Sequence, residues 1–325
     1  MARSRKIFKS PVFLGLGVFG LTMLGILVAF GLQFGRAAAS QTAPPELPGT
    51  YQDAPAEPVV PVDFQSSMIE AVETPSSYFV LLESLGLTPE DVEALPRPVI
   101  DGFLPAGLGT VGFDDLLPLA AVPNYDLTPA FTAPDGEAVL ALDMFTDAVI
   151  EYLEGRWTVV GLEDGWVRVI VPVGRGALPS EDPAAVNHQA VWVPAEAVTL
   201  EDELNRIEVN ISDRLLTVFY NDEVVGSFHV GVGVIGRTDT PLGLCSIIGA
   251  GLIQTGAESL LTSCQSEMLD VYAGSSWATI ALHEGEGFSQ ATGGAISNGC
   301  VRVSVENFAA YLEDIPVGTP VLFTP

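Results

Sequence analysis

Cys300, in the stretch "AISNGCVRVS", and His283, in "ALHEGEG", are the residues of this sequence best suited to covalent chemistry. A thiol attacks as thiolate, and a free cysteine has a pKa of about 8.5. A neighbouring imidazole takes up that proton, and a third group must fix the imidazole's tautomer. His283 closes an apolar segment that reads as a strand, and Cys300 lies on a Gly-rich return just ahead of a helix. A strand end and the return that follows it bring two such residues side by side. Consecutive backbone N–H groups in the Ser297–Asn298–Gly299–Cys300 turn would face one point and stabilise an oxyanion. Gly299, without a Cβ, permits the tight turn and a close approach by substrate. The competing reading is a small buried thiol in a turn. One cysteine and one histidine fall short of a four-ligand zinc site, so no metal is expected, and nothing calls for a cofactor. His188, in a polar loop, and His229, in a strand, read as structural.

The elements that must hold these residues are mainly β. From Asn205, "NRIEVNI" places Ile207, Val209 and Ile211 on one face, "LLTVFY" places Leu216, Val218 and Tyr220 on one face, and "VVGSFHVGVG" follows after a short turn. Such alternation with short loops reads as an antiparallel meander. A further strand begins at "TPLG" and runs through Cys245, "SSWATIALHEG" is a strand ending at His283, "SVENFAAYLEDI" is a helix capped by Ser304, and "GTPVLF" is a closing strand. Residues 250–276 have mixed character and read as a long flap over the site. Upstream, residues 116–202 hold short alternating strands split by Gly, Asp and Pro, such as "GWVRVIVPV" and "AVWVPAEAVTL". Their Trp, Val and Gly pattern weakly resembles a small SH3-like barrel of the kind bacterial wall enzymes carry, against a generic β spacer. Residues 66–115 hold two short helices, the second with Thr88 as N-cap and Pro89 in its first turn, and suggest no function of their own.

The N-terminus points to export. Residues 1–10 hold Arg3, Arg5, Lys6 and Lys9 and read as a cytoplasmic basic segment. Residues 11–34 are apolar and uncharged over about 24 positions, where a bilayer core needs roughly 20. They read as a transmembrane anchor, with cleavage near Ala39 as the alternative. Residues 35–65 are Pro- and Ala-rich and read as a semi-extended linker. The remainder, with 41 acidic residues and a formal charge of −28 for the whole chain, should repel nucleic acid. In an exported protein disulfides persist. Of three cysteines, Cys245 and Cys264 make a possible pair and leave Cys300 over; otherwise all three are buried thiols.

Residues 203–325 resemble the catalytic domain of the L,D-transpeptidases, the YkuD type of bacterial cell-wall enzyme. The matching pieces, in the family's order, are "IEVNISDRLLTVFYNDEVV", "GVGVIGRTDTPLG", "SEMLD", "ALHEG", "AISNGCVRVS" and "VGTPVLF". The resemblance implies a β-sandwich with a short helix, acting on peptidoglycan stem peptides in the cell envelope. It implies that Cys300 attacks the carbonyl before the terminal D-Ala of a donor tetrapeptide, that D-Ala leaves a thioester behind, and that the side-chain amine of an acceptor stem resolves it as a 3→3 link. His283 would be the general base. The N–H groups of Asn298, Gly299 and Cys300 would line the oxyanion hole, with Ser297 supporting the turn. Arg302 would hold the loop or a substrate carboxylate, and the backbone carbonyl of Glu284 would orient the imidazole. Two departures stand out: Asn298 where the family has histidine, and "HEG" where it has "HGT". Asn298 keeps any backbone contact but removes a second imidazole. The Glu284 carboxylate would raise the thiol pKa and favour a protonated His283. Water in place of the amine would make the chain an L,D-carboxypeptidase, and a decayed site would leave a wall-binding protein.

Overall fold

A computed structural model describes residues 75–143, 155–252, 257–274, 278–285 and 293–325. The expected basic segment, anchor and linker within 1–65 lie outside these residues. Among the described residues no helix is long and apolar enough to cross a membrane.

The chain opens with helices α1 (Pro75–Ser84) and α2 (Pro89–Ala94). The second begins as expected: Thr88 accepts the Asp91 N–H, and the Asp91 carboxylate accepts the Thr88 N–H, a reciprocal cap. Both helices pack on the upstream sheet, where Leu82 and Val92 bury against Ala141. That sheet comprises β1 (Gly109–Thr110), β2 (Leu119–Pro123), β3 (Leu127–Phe131), β4 (Ala138–Asp143), β5 (Trp157–Glu163), β6 (Trp166–Ile170), β7 (Gln189–Pro194) and β8 (Val198–Asp202). Its order is β4-β3-β7-β6-β5-β2-β8, with β1 on β7. The strands read from sequence are present, and β2 and β3 join them.

The C-terminal sheet comprises β9 (Asn205–Asn210), β10 (Leu215–Tyr220), β11 (Glu223–His229), β13 (Gly243–Leu252), β14 (Glu258–Gln265), β15 (Thr279–Glu284), β17 (Val301–Val303) and β18 (Pro320–Thr324). The chain also forms β12 (Val232–Gly233), β16 (Ala295–Ser297) and helix α3 (Val305–Tyr311). The meander runs as expected, with Ile207, Val209, Leu216 and Val218 buried on one face. The order is β11-β10-β9-β18-β13-β14-β15-β17, so the last strand inserts at the centre, parallel to β9 and antiparallel to β13. β13 serves two ladders: residues 243–246 pair with β18, and from Ile247 onward it pairs with β14, with a register shift between Ile247 and Gly249. A bulged strand shared in this way lets two layers face each other across one core. That core joins Ile207, Leu216 and Phe323 of one layer to Leu260, Leu282 and Val301 of the other, closed by Phe308 and Leu312 from the α3 region. Ser304 caps α3 by accepting the Asn307 N–H.

One expectation is corrected. Within 250–276 the described residues include the end of β13 and all of β14, with Leu260 and Cys264 buried, so residues 258–265 are an interior strand and not part of a flap. Irregular chain remains at 266–274 among the described residues.

Residues 67–325 form one compact unit. Two mixed clusters join its sheets: Ile100 and Val173 with Ile248, and Val160 and Ile170 with Leu244. The 96–104 stretch, without a role in the sequence reading, is thus a wedge between sheets.

Cys245 on β13 and Cys264 on β14 are joined in a disulfide, with Cα atoms 5.6 Å apart. Denatured, unreduced protein should show one free thiol; a count of three would refute the bridge. Replacing both cysteines by alanine should lower stability by about 3 kcal/mol for a loop of this length, read as a fall in the denaturant midpoint.

Candidate functional site

The parallel pairing of β15 with β17 sets Leu282 opposite Val301, His283 opposite Arg302 and Glu284 opposite Val303. Side chains alternate between faces along a strand. Leu282, Val301 and Val303 point into the core, which turns His283 and Arg302 to the other face. Cys300, one residue ahead of β17, shares that face: its Sγ lies 3.8 Å from the Thr279 carbonyl, beside the backbone that leads to His283. The structure therefore brings the two candidate reactive groups to one side of two adjacent strands. A direct main-chain pair ties β17 to the end of the β11 segment, through Arg302 N–H to Gly231 O at 2.8 Å and the reverse bond at 2.9 Å.

The turn before Cys300 is held from two directions. Within it, the Ser297 hydroxyl donates to the Cys300 carbonyl at 2.5 Å and accepts the Gly299 N–H at 3.1 Å. Gly299 has φ +114°, in the region closed to most side chains, and a Cβ there would meet Ile280 Cδ1 at 2.9 Å. From outside, the Thr238 hydroxyl donates to the Ser297 carbonyl at 2.8 Å and the Thr240 hydroxyl to the Gly299 carbonyl at 2.7 Å. Each hydroxyl also accepts a backbone N–H, Val234 at 3.2 Å and Gly233 at 3.0 Å. The 232–240 segment is thus a cradle for the cysteine turn, and β12 pairs with β16 beside it. Sequence reasoning missed Thr238 and Thr240; the one signal was two threonines in alternation, "TDT", within a matching piece.

The expected oxyanion trio is corrected by one member. The Gly299 N–H is directed at Ser297 Oγ, because the left-handed turn rotates that amide inward. The Asn298 side chain is exposed and donates to Tyr272 Oη at 3.4 Å, so it faces the 266–274 loop.

His283 Nδ1 lies 2.7 Å from the Glu284 carbonyl oxygen. A carbonyl only accepts, so Nδ1 carries the proton and Nε2 keeps its lone pair. Burial holds the His283 pKa below the ordinary imidazole value; the Glu284 carbonyl opposes this, and the Arg302 charge adds to it. Desolvation is the largest of these effects, so the net direction is toward the neutral imidazole. Burial likewise pushes the Cys300 thiol up, against the opposing effects of the Ala281 backbone and Arg302. The resting pair is therefore a thiol beside a neutral imidazole. Such a pair works by general base catalysis at the moment of attack, without a standing thiolate. Two pH effects should follow. The rate of thioester formation with donor alone should rise as pH climbs through a His283 pKa below 6.5 and then hold level, because the base works once neutral. Alkylation of Cys300 by iodoacetamide should be slow at neutral pH and still climb beyond pH 9. Fast alkylation at pH 6 would reveal a standing thiolate and refute this.

The other histidines lie apart from this face. His188, expected in a polar loop, takes φ +72° and packs so closely on Gly243 that a Cβ there would sit 2.1 Å from its Nε2. Its ring lies with Cys245 and Cys264, the ligand atoms all within 4.8 Å, but the two sulfurs are bonded to each other and make no ligand set. His229 Nδ1 lies 3.4 Å from the Arg214 carbonyl.

Residues 204–322 match the YkuD family, the L,D-transpeptidase catalytic domain. No curated protein matches the chain. Similar solved structures include an L,D-transpeptidase from Mycobacterium smegmatis, at 16% identity over 49% of this chain and 91% of that one, with a TM-score of 0.31. An L,D-transpeptidase from Mycobacterium tuberculosis H37Rv gives 15% identity over 49% and 90%, with a TM-score of 0.34. L,D-transpeptidase 3 from Mycobacterium tuberculosis, in complex with a faropenem-derived adduct, gives 15% identity over 49% and 91%, with a TM-score of 0.32.

Proposed function

We propose that this chain, whose residues 204–322 are a YkuD-type L,D-transpeptidase catalytic domain, cross-links peptidoglycan stems through a thioester on Cys300. The observation that carries the reading is the β15–β17 register, which puts a tautomer-fixed His283 and a lone free thiol on one face.

In the first half-reaction His283 Nε2 takes the Cys300 proton as Sγ attacks the carbonyl between the third stem residue and D-Ala. The negative charge moves to the carbonyl oxygen, where the backbone N–H groups of Asn298 and Cys300 are the candidate donors. The imidazolium then gives its proton to the D-Ala nitrogen, the C–N bond breaks, and a thioester remains. In the second half-reaction the neutral side-chain amine of an acceptor stem attacks the thioester. His283 takes the amine proton and returns it to the departing sulfur, leaving a 3→3 amide and free Cys300. Arg302, paired across from His283, keeps positive charge near both groups. The acidic Glu284, next in sequence, would favour the approach of a cationic acceptor stem. The same reading has residues 11–34 anchor the enzyme on the outer side of a membrane, with the upstream sheet as an SH3-like spacer.

The test is intact mass of the full chain incubated with a stem tetrapeptide ending in D-Ala. A thioester adduct with D-Ala released supports the reading. Addition of an acceptor amine should then yield the cross-linked dimer; free tripeptide alone would assign the carboxypeptidase, and no adduct on folded protein would assign a wall-binding role.

A further inference from the structure

The 266–274 loop runs beside the cysteine turn, where Tyr272 meets Asn298, yet much of what holds it comes from the upstream β unit. The source is the connection between β6 and β7, residues 171–188. Ser180 donates both its N–H and its hydroxyl to the Asp270 carboxylate, at 2.9 and 2.7 Å. Arg175 Nη1 donates to the Asp270 carbonyl at 2.9 Å. Asn187 pairs with the backbone of Gln265 in both directions, each at 2.8 Å, and reaches the Glu267 carboxylate at 3.1 Å. Two carboxylate oxygens engaged by one serine make a geometrically specific grip. Beyond it lie exposed Val271 and Tyr272, and Tyr272 meets the Asn298 side chain of the cysteine turn.

We propose that the 171–188 connection positions the 266–272 loop as a wall of the stem-peptide site, with Asp270 and Ser180 as positioning residues for substrate. The inference rests on Cys300 being the nucleophile, since the wall matters only if a stem binds there. Its physical content is an entropic one. A loop with exposed apolar side chains contributes to binding only if its geometry is set before substrate arrives. The grip sets it from outside the catalytic domain, so the upstream unit does more than act as a spacer. Ser180 is exposed and Asp270 is only partly buried, and neither belongs to a hydrophobic core cluster, so their loss should leave the core intact.

The test uses the full chain with Asp270→Ala, Ser180→Ala, the double variant and Asp270→Asn. Asp270→Ala should raise the donor KM roughly tenfold with kcat little changed, as loss of positioning does. Ser180→Ala should act in the same direction, and the double variant should be no worse than Asp270→Ala, because both remove one grip. Asp270→Asn retains an acceptor for the Ser180 N–H and should restore most of the affinity. Alkylation of Cys300 by iodoacetamide should be unchanged throughout, since the thiol's own surroundings are untouched. An unchanged KM in an active enzyme, or a matching fall in alkylation, would overturn the inference. Hydrogen exchange keeps the two proposals separable: amides of 266–272 should exchange faster in Asp270→Ala. If the parent chain proves inactive, the functional reading fails by itself, and unaltered exchange would sink the positioning claim independently.

Discussion

Cys300→Ala should abolish both the acyl adduct and D-Ala release while leaving the protein folded. The chain has three cysteines, and two are joined in the disulfide, so no second thiol can substitute. Removing a nucleophile from a unit that acts together typically costs on the order of 10⁶ in turnover. His283 would remain, its Nδ1 still tied to the Glu284 carbonyl, but would have no proton to take. The cost in stability should be small, below about 1 kcal/mol, because Cys300 lies outside the hydrophobic core cluster that contains its neighbour Val301. Cys300→Ser should not rescue the reaction, since a neutral imidazole matched to a thiol is too weak a base for an alcohol without further help. The decisive measurement is D-Ala release beside a thermal unfolding curve. Persistent release from a folded Cys300→Ala protein would remove the thioester mechanism from consideration.

Gly233→Ala should be the most damaging substitution that touches neither candidate reactive group. A Cβ at that position would lie 2.0 Å from the Thr238 carbonyl oxygen, 2.7 Å from Thr240 N and 2.9 Å from Asp239 C, all backbone atoms. None can rotate away as a side chain would, so the 234–240 segment must move. The Thr238 and Thr240 hydroxyls move with it and release the Ser297 and Gly299 carbonyls that shape the cysteine turn. A misplacement of about 1 Å at a reacting centre costs on the order of 100-fold in rate, and that is the expected loss of turnover. Overpacking of this kind also costs about 1–3 kcal/mol of stability. Gly236→Ala is the matched control. Gly236 has φ +72° but open space around it, so the change should cost about 1–2 kcal/mol of backbone strain and spare turnover. Equal loss of activity in both variants would show that general destabilisation, and not the cradle, governs the site.

Much of this molecule is determined by local pattern and was legible without coordinates. The alternation of Ile207 and Val209, and of Leu216 and Val218, specifies strands with one buried face, because a strand's side chains repeat every second residue. Thr88 and Ser304 mark helix starts through hydrogen bonds spanning three residues. The Ser297–Cys300 turn was readable for the same reason, since Gly299 and the Ser297 hydroxyl act within it.

What tertiary structure alone decided involves partners far apart in the chain. β14 looked like a flap because "ESLLTSCQ" mixes small and polar residues; its neighbours β13 and β15 make it an interior strand. Thr238 and Thr240 act on carbonyls 59 residues away, and Asp270 meets Ser180 across 90 residues, distances that no local pattern encodes. The net direction of the His283 shift was out of reach for a related reason. Desolvation depends on what the rest of the chain packs around the ring, and here it is the largest effect. The residue types thus determined which chemistry was available, and the packing of distant segments decided the protonation state and geometry in which it is held.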